Sequence, residues 1–158
     1  MKNFNTNIMK RLTLIFSLIA IIAVGVFSMS YKSSGRGGVH FMDWKWGDVS
    51  QQAKIRNKPI FVFVGASYCN ISARMNFIFH QKEVGSVLND NFVCNKMYTD
   101  DGIMNNFRAS NWGVTNVPSF LFFNSEGKLI YKTQGFKDKE NMLAEIETAL
   151  IKIKETSK

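Results

Sequence analysis

The chain has 158 residues, enough for one domain with a packed interior and too few for two. Apolar residues make up 46% and charged residues 20%, which excludes an intrinsically disordered chain, and 14 Phe supply bulk for a core. The formal net charge of +8 is carried by scattered lysines without an Arg-rich cluster or an aromatic–basic repeat, so nucleic acid is excluded as the expected partner.

Residues 1–42 contain no acid, and Lys2, Lys10 and Arg11 precede an uncharged, largely apolar run over 12–29. Without those three cations the remainder carries 17 basic and 12 acidic side chains, a net +5. Cations, an apolar run and then small polar residues make residues 1–30 an export segment. The run has 18 residues, more than the roughly 7–15 of a cleaved signal core and just enough for a membrane span, so a cleaved signal and a retained membrane anchor both fit. No cysteine lies near its end for lipid attachment. The preceding cations place the N-terminus in the cytoplasm and the rest of the chain outside it, in the periplasm or anchored at the inner membrane.

The Gly/Ser-rich stretch 31–38, "YKSSGRGG", reads as a linker, and a domain is expected over 39–158. "VHFMDWKW" reads as a short edge strand, and Asp48 with Gln51 gives a capping box that starts a helix running to Arg56. "IFVFVGA", 60–66, is continuous, apolar and too short for a buried helix, so it predicts a central parallel strand. Ile71, Met75, Ile78 and Phe79 recur at helical spacing, and a second helical piece covers 83–88. "FVCNKMYT" predicts a strand and 103–108 a short helix. "FLFFNSEGKLIYKTQG" predicts a hairpin turning at 124–127, and Met142, Ile146, Ala149, Leu150 and Ile153 mark one face of a last helix.

In this arrangement Cys69 sits at the start of a helix, where unsatisfied backbone N–H groups favour thiolate over thiol. Ser72, three positions later, is placed to donate its hydroxyl to that sulfur. Cys94 lies near the beginning of a neighbouring parallel strand, about 15–20 Å from Cys69 at ~3.3 Å per residue, so no disulfide is expected. Cys94 reads as an inert core residue. His40 and His80 have no metal-ligand spacing with the cysteines, and His80 is about three helical turns from Cys69, too far to act as its base. No metal or cofactor is expected. Asp100 and Asp101 read as a solvated strand exit, and Trp44, Trp46 and Trp112 as packing residues, with Trp112 also a candidate border of a binding groove.

Three local signals, "SYCNIS" at a strand-to-helix junction, "WGVTNVPSF" with Pro118 before a strand, and "FLFFNSEGKLI", resemble the thioredoxin superfamily over residues 39–154. The segment "NKPIFVFVGASYC" is similar to the exported, disulfide-handling branch, and the CxxS form to the anterior-gradient type of protein disulfide isomerase relatives. The resemblance implies a thioredoxin-like α/β fold with a central mixed sheet flanked by helices. It also implies that Pro118 is cis and that Val117 offers backbone groups to an extended substrate, beside Tyr68.

Departures from the family pattern narrow the chemistry. Ser72 stands where a dithiol enzyme has its resolving cysteine, so Cys69 can form a mixed disulfide but cannot release itself through a CxxC bridge. Phe63 occupies the buried-acid position of thioredoxin, which removes the usual helper for proton transfer. Asn70 and Ile71 replace the Gly-Pro pair, and Tyr68 the preceding Trp. The expected function is thiol–disulfide exchange through Cys69 alone, acting on thiols and disulfides of exported clients, with release by the client or by an external thiol. The alternative is a redox-inactive thioredoxin-fold module that binds extended polypeptide.

Overall fold

The computed structural model describes residues 37–42 and 45–156. The export or anchor segment over 1–30, most of the linker, and Asp43 and Trp44 lie outside the described residues. Among the described residues no helix is long and apolar enough to cross a membrane.

The elements follow in the order α1 (Trp46–Arg56), β1 (Ile60–Gly65), α2 (Asn70–Phe79), α3 (Lys82–Asn91), β2 (Val93–Tyr98), α4 (Ile103–Asn111), β3 (Ser119–Phe123), β4 (Leu129–Gln134) and α5 (Lys139–Thr156). The strands form one mixed four-stranded sheet in the order β2-β1-β3-β4. β1 pairs parallel with β2 and antiparallel with β3, and β3 pairs antiparallel with β4.

Alternation along β1 and β3 sorts their side chains between two layers. Phe61, Phe63, Phe120 and Phe122 face Met75, Ile78, Phe79, Leu88, Met142 and Ile146 from α2, α3 and α5. Ile60, Val62, Val64, Leu121 and Phe123 face Val49, Ala53 and Ala109 from α1 and α4. Both faces of the two strands are therefore covered, which is why they read as unbroken apolar runs rather than alternating ones. In the hairpin the Asn124 side chain accepts the Lys128 N–H at 2.8 Å, and Gly127 takes φ 84°, a region only glycine occupies freely.

Two local expectations change. The helix α1 begins at Trp46, with Lys45 as its N-cap and no side-chain cap, so Asp48 and Gln51 lie inside the helix rather than forming a capping box. Tertiary packing sets this start: the Trp46 ring meets Trp112 at 4.7 Å and Phe123 at 4.9 Å. The expected edge strand is reduced to one parallel bridge between Met42 and Asn95. Its preceding N–H, from Val39, is spent on the Phe79 carbonyl at the end of α2 (2.7 Å) rather than on a strand.

That strap is locked to α3. Asn89 donates to the Gly38 carbonyl at 3.0 Å and accepts from the His40 N–H at 2.8 Å. Gly85 lets the two backbones touch, because a Cβ there would lie 2.5 Å from the Gly38 carbonyl carbon and oxygen. In a free helix Gly→Ala would stabilise by ~1 kcal/mol; here the forced backbone displacement costs about 1–3 kcal/mol and outweighs it. Gly85→Ala should therefore lower the urea unfolding midpoint, and an unchanged or raised midpoint would show that the strap is not held against α3.

Candidate active site

β1 ends at Gly65, and the chain turns at once into α2. The Gly65 carbonyl accepts from Thr99 at 2.9 Å, and the Ala66 carbonyl accepts the Cys69 N–H at 3.1 Å. Cys69 is the N-cap of α2: its backbone is extended, with φ −93° and ψ 106°, and its sulfur accepts the Ser72 N–H. That contact measures 3.4 Å, a charge–dipole contact available at an open first turn. On the other side the Cys69 Sγ lies 3.8 Å from the Val117 carbonyl oxygen, to which the thiol donates. The Val117–Pro118 bond is cis. Cys69 is half-buried, Tyr68 beside it is 77% exposed, and Pro118 lies in the turn that opens β3.

The Cys69 thiol is held below its ordinary pKa, first by the nearby Ser72 hydroxyl, then by the Ser72 N–H, against a smaller upward push from burial and with a last downward contribution from the Ile71 N–H. The hydroxyl differs from the expectation in one respect. Ser72 is completely buried, and its Oγ makes no hydrogen bond in this conformation, so the N–H is the contact of regular geometry. A buried hydroxyl without a partner costs ~1–3 kcal/mol.

The two cysteines differ. Both are free, but Cys94 faces the core and burial raises its pKa to about 12, so it has no thiolate near neutral pH. Phe63, at the position of the buried acid in thioredoxin, is fully buried between Phe79 (5.0 Å between ring centres) and Phe120 (5.9 Å). His80 caps the other end of α2 and its ring contacts the Asn76 carbonyl. Among the described residues no group of His, Cys, Asp and Glu could hold a metal ion.

Trp112 is not brought to the sulfur. It meets Trp46 and Phe123 edge-on, and the partner of Phe123 in the sheet is Ile60, at the opposite end of β1 from Cys69. It belongs to a separate cleft of about 500 Å³, lined among others by Trp46, Met97, Met104 and Arg108, whose walls include neither Cys69 nor Pro118. The packing role anticipated for Trp112 is the one its contacts describe.

Asp100 is exposed just past the end of β2, as its reading as a solvated strand exit expects, and its side chain is also engaged. Its carboxylate accepts the Ser67 N–H at 3.0 and 3.2 Å and also the Ser67 hydroxyl, which holds its pKa below the ordinary carboxylate value. It thereby pins the loop between β1 and Cys69 to the exit of β2. The signal was available in the topology rather than in a motif: β1 and β2 are parallel neighbours, so their exits lie side by side.

A thiol at the first turn of a helix that follows a central strand, facing the carbonyl before a cis proline, defines the thioredoxin-like class of α/β protein. Residues 47–150 match the thioredoxin-like domain family, and the chain belongs to it. Spermatogenesis-associated protein 20 of Mus musculus is 43% identical over 56 residues, which are 34% of this chain and 7% of that protein, so the chain spans a small part of that relative's length. Among solved structures, a thioredoxin from Thermus thermophilus superimposes with a TM-score of 0.67 at 15% identity, covering 77% of this chain and 94% of its own. A solution structure from Bacteroides thetaiotaomicron, of a protein provisionally called a disulphide-isomerase, gives 0.65 at 24% identity, covering 74% and 97%. The disulphide isomerase of Xylella fastidiosa Temecula1 gives 0.59 at 14%, covering 71% and 97%. At such identities the likeness is one of fold.

Ser72 offers a test in which stability and chemistry move apart. Ser72→Ala removes the unpartnered hydroxyl, so the urea midpoint should hold or rise, while the Cys69 pKa should move up toward that of an ordinary thiol. The sign of the pH dependence follows: a depressed folded pKa means the unfolded chain binds more protons between the two values, so the thiolate's contribution to stability grows as pH rises through that window and is lost as pH falls through the folded pKa. Alkylation rates measured against pH check the shift. A lower midpoint with an unmoved pKa would mean that Ser72 only packs.

Proposed function

We propose that the protein is an exported, thioredoxin-like thiol–disulfide exchange protein with Cys69 as its sole nucleophile. The observation that carries this reading is the half-buried Cys69 sulfur at the N-cap of α2, with its pKa lowered, facing the Val117 carbonyl at 3.8 Å. Membership of the thioredoxin-like family supports the same chemistry.

In the proposed cycle, an extended client segment lies along the Val117 backbone beside Tyr68 and Pro118. The Cys69 thiolate attacks one sulfur of a client disulfide. A Cys69–client S–S bond forms, the client's own S–S bond breaks, and the second client sulfur leaves as a thiolate that takes a proton from water. With serine at 72, release falls to another client thiolate, which attacks the client sulfur of the mixed disulfide and returns Cys69 as thiolate. The client disulfide has then moved with no net change in electrons, which is isomerisation. An external thiol attacking the same sulfur would free Cys69 as well. The residues over 12–29 support an export route to the periplasm, or an anchor at the inner membrane with the domain outside; the clients are exported proteins, and no cofactor takes part.

If this reading holds, Cys69 is alkylated faster at pH 7 than the same cysteine in the unfolded chain, and a mixed disulfide accumulates with an oxidised peptide. Neither outcome appearing would overturn it.

A second reading rests on Phe63, whose burial leaves no proton carrier beneath the sulfur: a redox-inactive module that holds extended polypeptide. Cys69→Ser separates the two, because client capture that survives the substitution favours binding without chemistry.

Ser72→Cys should supply the missing resolving thiol. Residues three apart on the first turn have neighbouring side chains, and the Ser72 N–H already touches the Cys69 sulfur. The variant should form a 69–72 disulfide and gain insulin reduction with dithiothreitol over the parent, only in part because Phe63 stays. A folded variant with neither would mean that Cys69 does not sit at an open helix start.

A further inference from the structure

The Gly135 N–H donates to the Pro118 carbonyl at 2.8 Å, which ties the segment leaving β4 to the loop that faces Cys69. The next residue, Phe136, is 40% exposed, and the Arg74 guanidinium carbon lies 4.4 Å from the centre of its ring. Arg74 stands on the exposed face of α2, one turn beyond the exposed Ile71. The ion pairs among the described residues join Lys137 to Glu145 and Lys139 to Glu140, so no described carboxylate neutralises Arg74. A guanidinium held over a ring face is restricted in advance and keeps N–H donors for a carboxylate.

We propose that Arg74 and Phe136 form a specificity subsite that favours client segments with an acidic residue two or three positions from the cysteine that Cys69 attacks. This rests on the thiol-exchange reading. The spacing fits, because an extended segment advances ~3.3 Å per residue and two or three residues carry a side chain about 7–10 Å from the sulfur. Arg74 stands five residues after Cys69 on α2, about 7.5 Å along the helix axis at ~1.5 Å per residue, which lies within that reach. Charge complementarity favours the same occupant, since Arg74 has no acidic partner among the described residues.

Three synthetic peptides test the subsite, each with one cysteine as a mixed disulfide with neutral 2-thiopyridine and with Glu, Gln or Lys at the second and third positions on both sides. Cys69 attacks the peptide sulfur, the peptide–pyridyl S–S bond breaks, and pyridine-2-thione is released and read by absorbance. The wild type should react about three- to five-fold faster with the Glu peptide than with the Gln peptide at low salt, the scale of a partly exposed ion pair, and slower still with the Lys peptide. Arg74→Gln should bring the three rates together. Arg74→Lys should restore part of the preference, and Lys54→Gln on α1, which makes the same change in net charge, should leave it intact. Equal rates in the wild type, or a preference that survives Arg74→Gln, overturn the subsite and leave the exchange reading standing. No release from any peptide overturns both.

Discussion

β1 is hydrogen-bonded on both edges and covered on both faces, and all six of its residues are buried. A strand in that position cannot slip by one residue without exchanging Phe61 and Phe63 for Ile60, Val62 and Val64 between two layers of different shape. The point where it ends is therefore fixed, and with it Gly65, the turn through Ala66 and the N-cap position of Cys69. Met75, Ile78 and Phe79 hold α2 on the sheet from below, while Asp100 holds the loop from the side. The sulfur's position is a product of a packed strand more than of any residue touching it.

The setting of that sulfur is dipolar rather than ionic. The groups that lower its pKa are a hydroxyl and two backbone N–H groups, with no cation among them. Dissolved salt screens a fixed dipole at contact distance far less than it screens a separated charge, so the lowering of the thiol's pKa holds across ionic strengths. Phe63, in the strand that leads to the thiol, is packed among aromatic rings. A carboxylate in the place of Phe63 would have to be hydrogen-bonded or neutral to exist there, whereas a phenyl ring between Phe79 and Phe120 needs nothing from water.

The strands and helices were legible in the sequence because their burial is extreme: continuous apolar runs for β1 and β3, and 3.6-residue spacing for α2 and α5. The site was legible where it depends on sequence order, as with Cys69 following β1 and Pro118 preceding β3. It was not legible where it depends on what lies across from what. Asp100 carries no local signature and matters only because β2 exits beside β1. Trp112 is near the proline loop in sequence, yet α4 runs it to the far end of the sheet, against Trp46 and Phe123. The Asp48–Gln51 pair was a sound local cap that lost to the packing of Trp46. The Ser72 hydroxyl was expected to have a partner, and only the packed turn shows that it makes no hydrogen bond.

Cys94 gives the domain a second, silent thiol. It lies in β2 under Leu88 and Phe92, its sulfur within reach of their carbonyl oxygens, and burial keeps it protonated. A thiol reagent reaches it only when β2 parts from its cover, an event with the free energy of opening part of the core rather than of a side-chain rotation. One chain thus carries two clocks read by the same reagent: Cys69 keeps the time of chemistry at the surface, and Cys94 the time of breathing in the sheet that supports it.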